Sequence, residues 1–175
     1  MQTTRKPNES GRLWIDDGVI HYDSARCGHW TCPVADIVLI GEYTNDHGPY
    51  LDDWFFVFMV AGQNWFEASM YAKETDTFRD DLRKQIGADV ITGLANSTDF
   101  KSRVLWPEHL AGNPLFDFRK VEGATLARRI KLAILPEVQF CLATEVEKHL
   151  KGLPNQALNA TSEPAPGAVS SSHEG

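Results

Sequence analysis

Ile37-Val38-Leu39-Ile40 and Trp54-Phe55-Phe56-Val57-Phe58-Met59-Val60 are dense apolar runs set around an acidic, turn-rich link, Thr44-Asn45-Asp46-His47-Gly48-Pro49-Tyr50-Leu51-Asp52-Asp53. Short runs rich in aromatic and β-branched residues, bounded by Asp, Asn, Gly and Pro, read as strands of a buried antiparallel sheet. The unbroken apolar stretch of residues 54–60 implies cover on both faces, because a half-wet sheet alternates apolar with polar side chains. Asn64 to Met70 follows the tight Ala61-Gly62-Gln63 link, so residues 37–44, 54–60 and 64–70 form a meander.

Upstream, Arg12-Leu13-Trp14-Ile15 and Val19-Ile20-His21-Tyr22 are short strands divided by Asp16-Asp17-Gly18, whose Asp-Gly pair marks a two-residue hairpin. His29-Trp30-Thr31-Cys32 comes next, and Pro33 keeps it from the middle of a sheet because proline donates no ladder hydrogen bond. Downstream the period changes. Phe78, Leu82 and Ile86 recur at four-residue spacing, Thr77 with Asp80 offers a capping-box start and Gly87 a stop, which predicts a short helix over 77–87.

Val90-Ile91, Ser102 to Pro107 and Pro114 to Phe118 then have strand character, broken by Gly and Pro. Leu126, Ile130, Ala133 and Ile134 form one stripe, Pro136 interrupts it, and Val138, Leu142, Val146 and Leu150 repeat at four-residue spacing as far as Gly152. The expected organisation is a flexible N-terminus over 1–10, a β domain with one short helix over 11–118, a C-terminal helical segment over 119–152 and a disordered tail over 153–175.

From Leu13 to Gly87 the order of elements resembles the bacterial PH-like domains. The features that carry the likeness are the early strand pair, Trp30-Thr31-Cys32-Pro33-Val34-Ala35-Asp36-Ile37 entering a central strand, an apolar strand containing Phe-Val-Phe, a Gly-containing hairpin, Trp65-Phe66-Glu67-Ala68, and a helix with Phe78 and Leu82. The resemblance implies an antiparallel, barrel-like scaffold used for binding, plugged by the later helix, with no catalytic residues to carry over. Members that take phosphoinositides use a basic loop between the first strands. Here that loop is Ile15-Asp16-Asp17-Gly18-Val19, which sets lipid headgroups aside. The fold class expected is therefore α+β: an antiparallel PH-like barrel or strongly bent sheet with a short helix and a C-terminal helical segment.

The 175 residues, 42% apolar, suffice for one ordinary core. The formal net charge of -7 is unevenly spread, with ten acidic side chains between residues 7 and 72 against only Arg12 and Arg26. That half repels phosphate backbones, which argues against nucleic acid as a partner. Positive charge collects at Arg119, Lys120, Arg128, Arg129 and Lys131, and of these Arg128, Arg129 and Lys131 beside Leu126, Ile130 and Ile134 make a short basic amphipathic element read as packing on the sheet rather than on a membrane. No window reaches membrane-spanning length, and the odd set Cys27, Cys32 and Cys141 suits reduced thiols, so a cytoplasmic protein is expected.

Three constellations bear on chemistry. His21, Cys27, His29 and Cys32 are zinc-ligand types, but the four residues between the cysteines and the strand alternation argue against a closed site, so no metal or cofactor is expected. Asp46, His47, Asp52 and Asp53 lie on a loop between rigid strands and suit either acid-base work or a solvated turn. Of Trp14, Trp30, Trp54, Trp65 and Trp106, most are expected to pack in the core. Trp106, with Tyr43 and Tyr50 beside Asp52 and Asp53, is the expected contact surface.

The function expected is a non-catalytic binding or scaffold domain for a protein or peptide partner, a basic one complementing the acidic half, with homo-oligomerisation through the C-terminal helices as an addition. The alternative is a small cytoplasmic hydrolase or metal-dependent enzyme using Asp46, His47, Asp52 and Asp53.

Overall fold

A computed structural model describes residues 9–45, 51–62, 64–95, 97, 99–120 and 138–153. The expectations for the N-terminus up to residue 8, the stripe Leu126 to Ile134 with Pro136, and the tail from residue 154 lie outside the described residues.

The hairpin comes where Asp-Gly demands it. Strands β1 (Arg12–Asp16) and β2 (Val19–Ser24) pair antiparallel with Asp16 opposite Val19, and the linking Asp17 and Gly18 have φ of 45° and 74°. Positive φ at both central residues matches the right-handed strand twist. β3 (Gly28–Pro33) adds to β2 as the outer strand of this three-stranded sheet, and Pro33 is its last residue.

β4 (Ile37–Thr44), β5 (Trp54–Val60) and β6 (Trp65–Ser69) form the meander. With β7 (Lys101–Trp106) they make an antiparallel sheet in the order β6-β5-β4-β7. The all-apolar β5 is covered twice, and this sheet is the middle of three layers. Phe56 and Phe58 face a core with Leu13, Ile20, Tyr22, Phe78 and Leu82, while Val57 and Met59 face a second one with Leu39, Val104, Leu115, Leu142 and Val146. Each such fully buried side chain is worth about 1.5–3 kcal/mol relative to exposure.

Two bulges set which residues face which core. Ile37 pairs with Val60 and Leu39 with Met59, which leaves Val38 as an extra residue, so that Ile37 and Leu39 enter opposite cores. A second irregularity in the β4–β7 ladder, where Ile40 pairs with Trp106 and Gly41 with Val104, leaves Leu105 as the extra residue, so that the neighbours Leu105 and Trp106 both pack on the first core. An unpaired residue inverts the strand alternation beyond it.

Helix α1 (Thr75–Ile86) buries Phe78 and Leu82 and ends at Gly87 with φ 67°. Its start differs from the Thr77/Asp80 expectation: Thr77 is inside the helix, and Glu74 precedes it in the left-handed conformation, φ 69°, without a side-chain cap. The C-terminal reading also changes. β8 (Phe116–Lys120) pairs with β9 (Val138–Leu142), so Val138 to Leu142 is a strand and not part of a helix, and among the described residues of this segment the helix is α2 (Thr144–Gly152). Positions four apart share a face on a strand as well as on a helix, so the Val138/Leu142 spacing was ambiguous, and Val-Gln-Phe-Cys-Leu suits a pleated, half-buried strand.

The protein is thus α+β with mostly antiparallel sheets. Among the described residues the sheets do not close into a barrel. Across the β6 edge, side chains take the place of a backbone ladder: the Trp30 indole N–H donates to the Glu67 carbonyl at 2.8 Å, and the Ser69 amide donates to the Tyr22 hydroxyl at 3.3 Å. At the β1 edge a single parallel bridge joins Arg12 to Lys73.

Candidate functional site

The acidic loop divides. Asp46, His47 and Tyr50 lie outside the described residues. Asp52 is 3% exposed, with one carboxylate oxygen accepting from the Ser10 hydroxyl at 3.0 Å and the other from the Ser69 hydroxyl at 2.6 Å. Asp53 accepts from the Tyr71 hydroxyl at 2.6 Å. Asp52 ties the start of the chain to β6, and Asp53 bonds at the surface to a different partner, so the two carboxylates do not converge.

The cysteine–histidine set is not assembled. Cys32 is buried in the first core, His21 stacks on Trp14 with ring centroids 5.1 Å apart, and Cys27 is exposed. Burial, reinforced by the charge of Asp36, pushes the Cys32 thiol up to about 12, which leaves it protonated and unreactive. Among the described residues no group of three or more His, Cys, Asp or Glu is arranged to hold a metal ion, and no helix is long and apolar enough to cross a membrane.

Glu42 is the carboxylate that strand alternation alone does not single out. On β4 and fully buried, it accepts from the Trp54 indole at 2.7 Å, from the Gly93 amide at 2.8 Å and from the Arg103 guanidinium of β7 at 2.7 Å. Arg103 also donates to the Ile91 carbonyl at 2.7 Å. A Cβ on Gly93 would come within 2.6 Å of the guanidinium, so the close approach requires glycine. This ion pair clamps the segment after α1 onto the sheet, and its role is structural because all of its donors are internal.

A different carboxylate faces outward. On β6, Trp65 and Glu67 alternate on the side opposite Ala68; Trp65 is 43% exposed and Glu67 is exposed as well. The Glu67 carboxylate accepts from the Trp65 indole at 3.0 Å through one oxygen and from the Tyr43 hydroxyl at 2.9 Å through the other. Tyr43 stacks on Phe55 with centroids 5.1 Å apart and meets Phe116 edge-on, and Trp65 also touches Phe116 at 6.0 Å. Burial, then the neighbouring Glu67 charge, pushes the Tyr43 phenol far up, so it remains a hydrogen-bond donor to that carboxylate.

Of the expected contact residues, the structure places Tyr43 in this cluster, half-buried with its hydroxyl at the surface, and Asp52 in the interior. Trp106 is half-buried against the first core. The tryptophan left exposed is Trp65, and with Glu67 it was missed because only the burial of β6's other face shows which of its residues turn outward. The signal available was the alternation Trp65-Phe66-Glu67-Ala68 on an edge strand. Comparison with protein-family models, with curated proteins and with solved structures finds no match for this chain.

Proposed function

We propose that the chain is a non-catalytic binding domain whose partner is a protein or peptide segment presenting Arg or Lys to Glu67. The observation that carries this reading is the Glu67 carboxylate, exposed on an edge strand yet held on both oxygens by the neutral donors Trp65 and Tyr43. Such donors orient the charge without neutralising it, and the flanking aromatic rings lower the local dielectric. An incoming guanidinium would meet a pre-set carboxylate and an indole face. Tyr and Trp beside a charge are the residue types that dominate binding energy at interfaces. The acidity of residues 7–72 supports a basic partner, and the order of strand pair, meander and helix suits a PH-like scaffold in a cytoplasmic protein. The hydrolase reading has less behind it, since both Asp52 oxygens accept from serine hydroxyls.

Selection of random displayed peptides against the full chain tests the proposal. The recovered peptides should be enriched in Arg or Lys, and Glu67→Gln should weaken them by at least about tenfold, a hot-spot loss, while leaving the melting temperature unchanged. Selected peptides without basic residues, or equal binding by Glu67→Gln, would refute it.

A further inference from the structure

Resting on Glu67 as the partner's anchor, we propose that the partner docks as an extended segment that pairs antiparallel with the open edge of β6 and adds a fifth strand to the central sheet. β6 is an outer strand in the order β6-β5-β4-β7, and every ladder of that sheet is antiparallel. Four hydrogen bonds fix which way its backbone groups turn. The Asn64 carbonyl accepts from the Val60 amide and the Met70 amide donates to the Trp54 carbonyl, so the even-numbered residues turn toward β5. The Glu67 carbonyl and the Ser69 amide meet the side chains of Trp30 and Tyr22, so the odd-numbered residues turn away. The register with β5 runs unbroken from Ser69 to Trp65, and the alternation therefore holds along the whole strand. The Trp65 N–H and C=O and the Glu67 N–H point out of the sheet edge, and none of the three has a hydrogen-bond partner among the described residues.

Open edge groups are a template for another strand, and edges that resist pairing are blunted by proline, lysine or a bulge. β6 has none of these, and its one charge is Glu67. A helix satisfies its own N–H and C=O groups internally and would leave these three as they are. The Trp30 indole on the Glu67 carbonyl marks where pairing stops, so the new ladder spans Trp65 to Glu67. Side chains directly opposite in a strand pair have Cβ atoms about 4.5–5.5 Å apart, which sets the partner residue facing Glu67 as the Arg or Lys. Each Glu67 oxygen accepts one bond, and a carboxylate has about four acceptor positions, so each keeps one for a forked guanidinium. In antiparallel pairing the residue facing Trp65 comes two positions after that cation and on the same face, where an apolar side chain covers the exposed indole. The recognised segment is thus an extended Arg or Lys, any residue, then an apolar one.

An Arg-bearing peptide from the display selection, synthesised with each backbone amide N-methylated in turn and titrated against the full chain by fluorescence anisotropy, tests the pairing. Methylation two positions after the Arg should weaken binding by about fivefold, the loss of one hydrogen bond, and methylation of the residues on either side of that position should not. On the protein side, Trp65→Pro should bind the unmethylated peptide about fivefold more weakly than Trp65→Val, because both lose the indole and only proline loses the N–H. Proline is tolerated at the first position of an edge strand, so both variants should fold. Peptides that bind through Glu67 but are indifferent to the position of methylation, or equal binding by the Pro and Val variants, would overturn the strand pairing and leave the Glu67 site standing. A selection that returns no basic peptides would overturn both.

Discussion

Removing Arg103 should expose how the buried carboxylate is held. Arg103→Met deletes the charge-assisted bond to Glu42, worth about 1.5–3 kcal/mol, and the bond to the Ile91 carbonyl, worth about 1 kcal/mol. Breaking a buried ion pair by removing one partner typically costs about 3–5 kcal/mol. The Arg103 side chain is 31% exposed, so water can follow into its place, and the lower end, about 3 kcal/mol, is the expected loss. Against a total stability of about 5–15 kcal/mol, that is a large fraction. Urea unfolding followed by tryptophan fluorescence would read it as a lower midpoint at constant slope. The signature is a change of sign at position 42. Glu42→Gln should destabilise the native chain, where it discards an ion pair, and stabilise Arg103→Met by at least about 1 kcal/mol, where it removes an uncompensated buried charge. If Gln destabilises in both backgrounds, the guanidinium is not what compensates Glu42.

The Cys32 thiol, raised from 9.0 to about 12, makes a pH prediction. The folded chain holds its proton where the unfolded chain has lost it, so this contribution is complete below pH 9 and declines as pH rises toward 12. Denaturant midpoints should fall between pH 9 and pH 10 in the native chain and stay flatter in Cys32→Ala; identical slopes would remove the thiol from the account. The bulge makes another. Deleting Val38 leaves Ile37 opposite Val60 and Leu39 opposite Met59 with both cores intact, at a cost of about 1–2 kcal/mol for the lost side chain. Deleting Ile40 inverts the faces of the residues beyond it, and circular dichroism should show a cooperative melt for the first deletion and none for the second.

What was legible in the sequence had local causes. The β1–β2 turn follows from Asp17-Gly18, the double-sided cover of β5 from its unbroken apolar run, and the end of α1 from Gly87. The start of α1 was misread because its geometry is set from a distance: Lys73 donates to the Gly11 carbonyl, and Arg12 pairs with Glu74 at 2.9 Å, placing Glu74 in a left-handed conformation that no capping motif announces. β9 was hidden by a spacing that helix and strand share. Neither bulge is written in the composition of β4 or β7; they show in the packing, where Ile37 and Leu39, two apart, enter opposite cores and the neighbours Leu105 and Trp106 share one.

The carboxylates show why charge read along a chain is a weak guide to a site. Glu42, Asp52 and Glu67 all belong to the strongly acidic stretch of residues 7–72. Glu42 is fully buried and Asp52 nearly so, each held by internal donors, so neither contributes a free charge to a partner. Burial without partners would cost each of them several kcal/mol, and the partners that prevent this come from distant segments: Arg103 is 61 residues from Glu42, and Ser10 is 42 residues from Asp52. Glu67 is held in the same manner but at the surface, by an indole two residues away and a phenol two strands across the sheet. The same chemistry of oriented donors therefore makes an interior fastener where the strand is covered and a receptive charge where it is not. Which of the two a glutamate becomes depends on the layer above it.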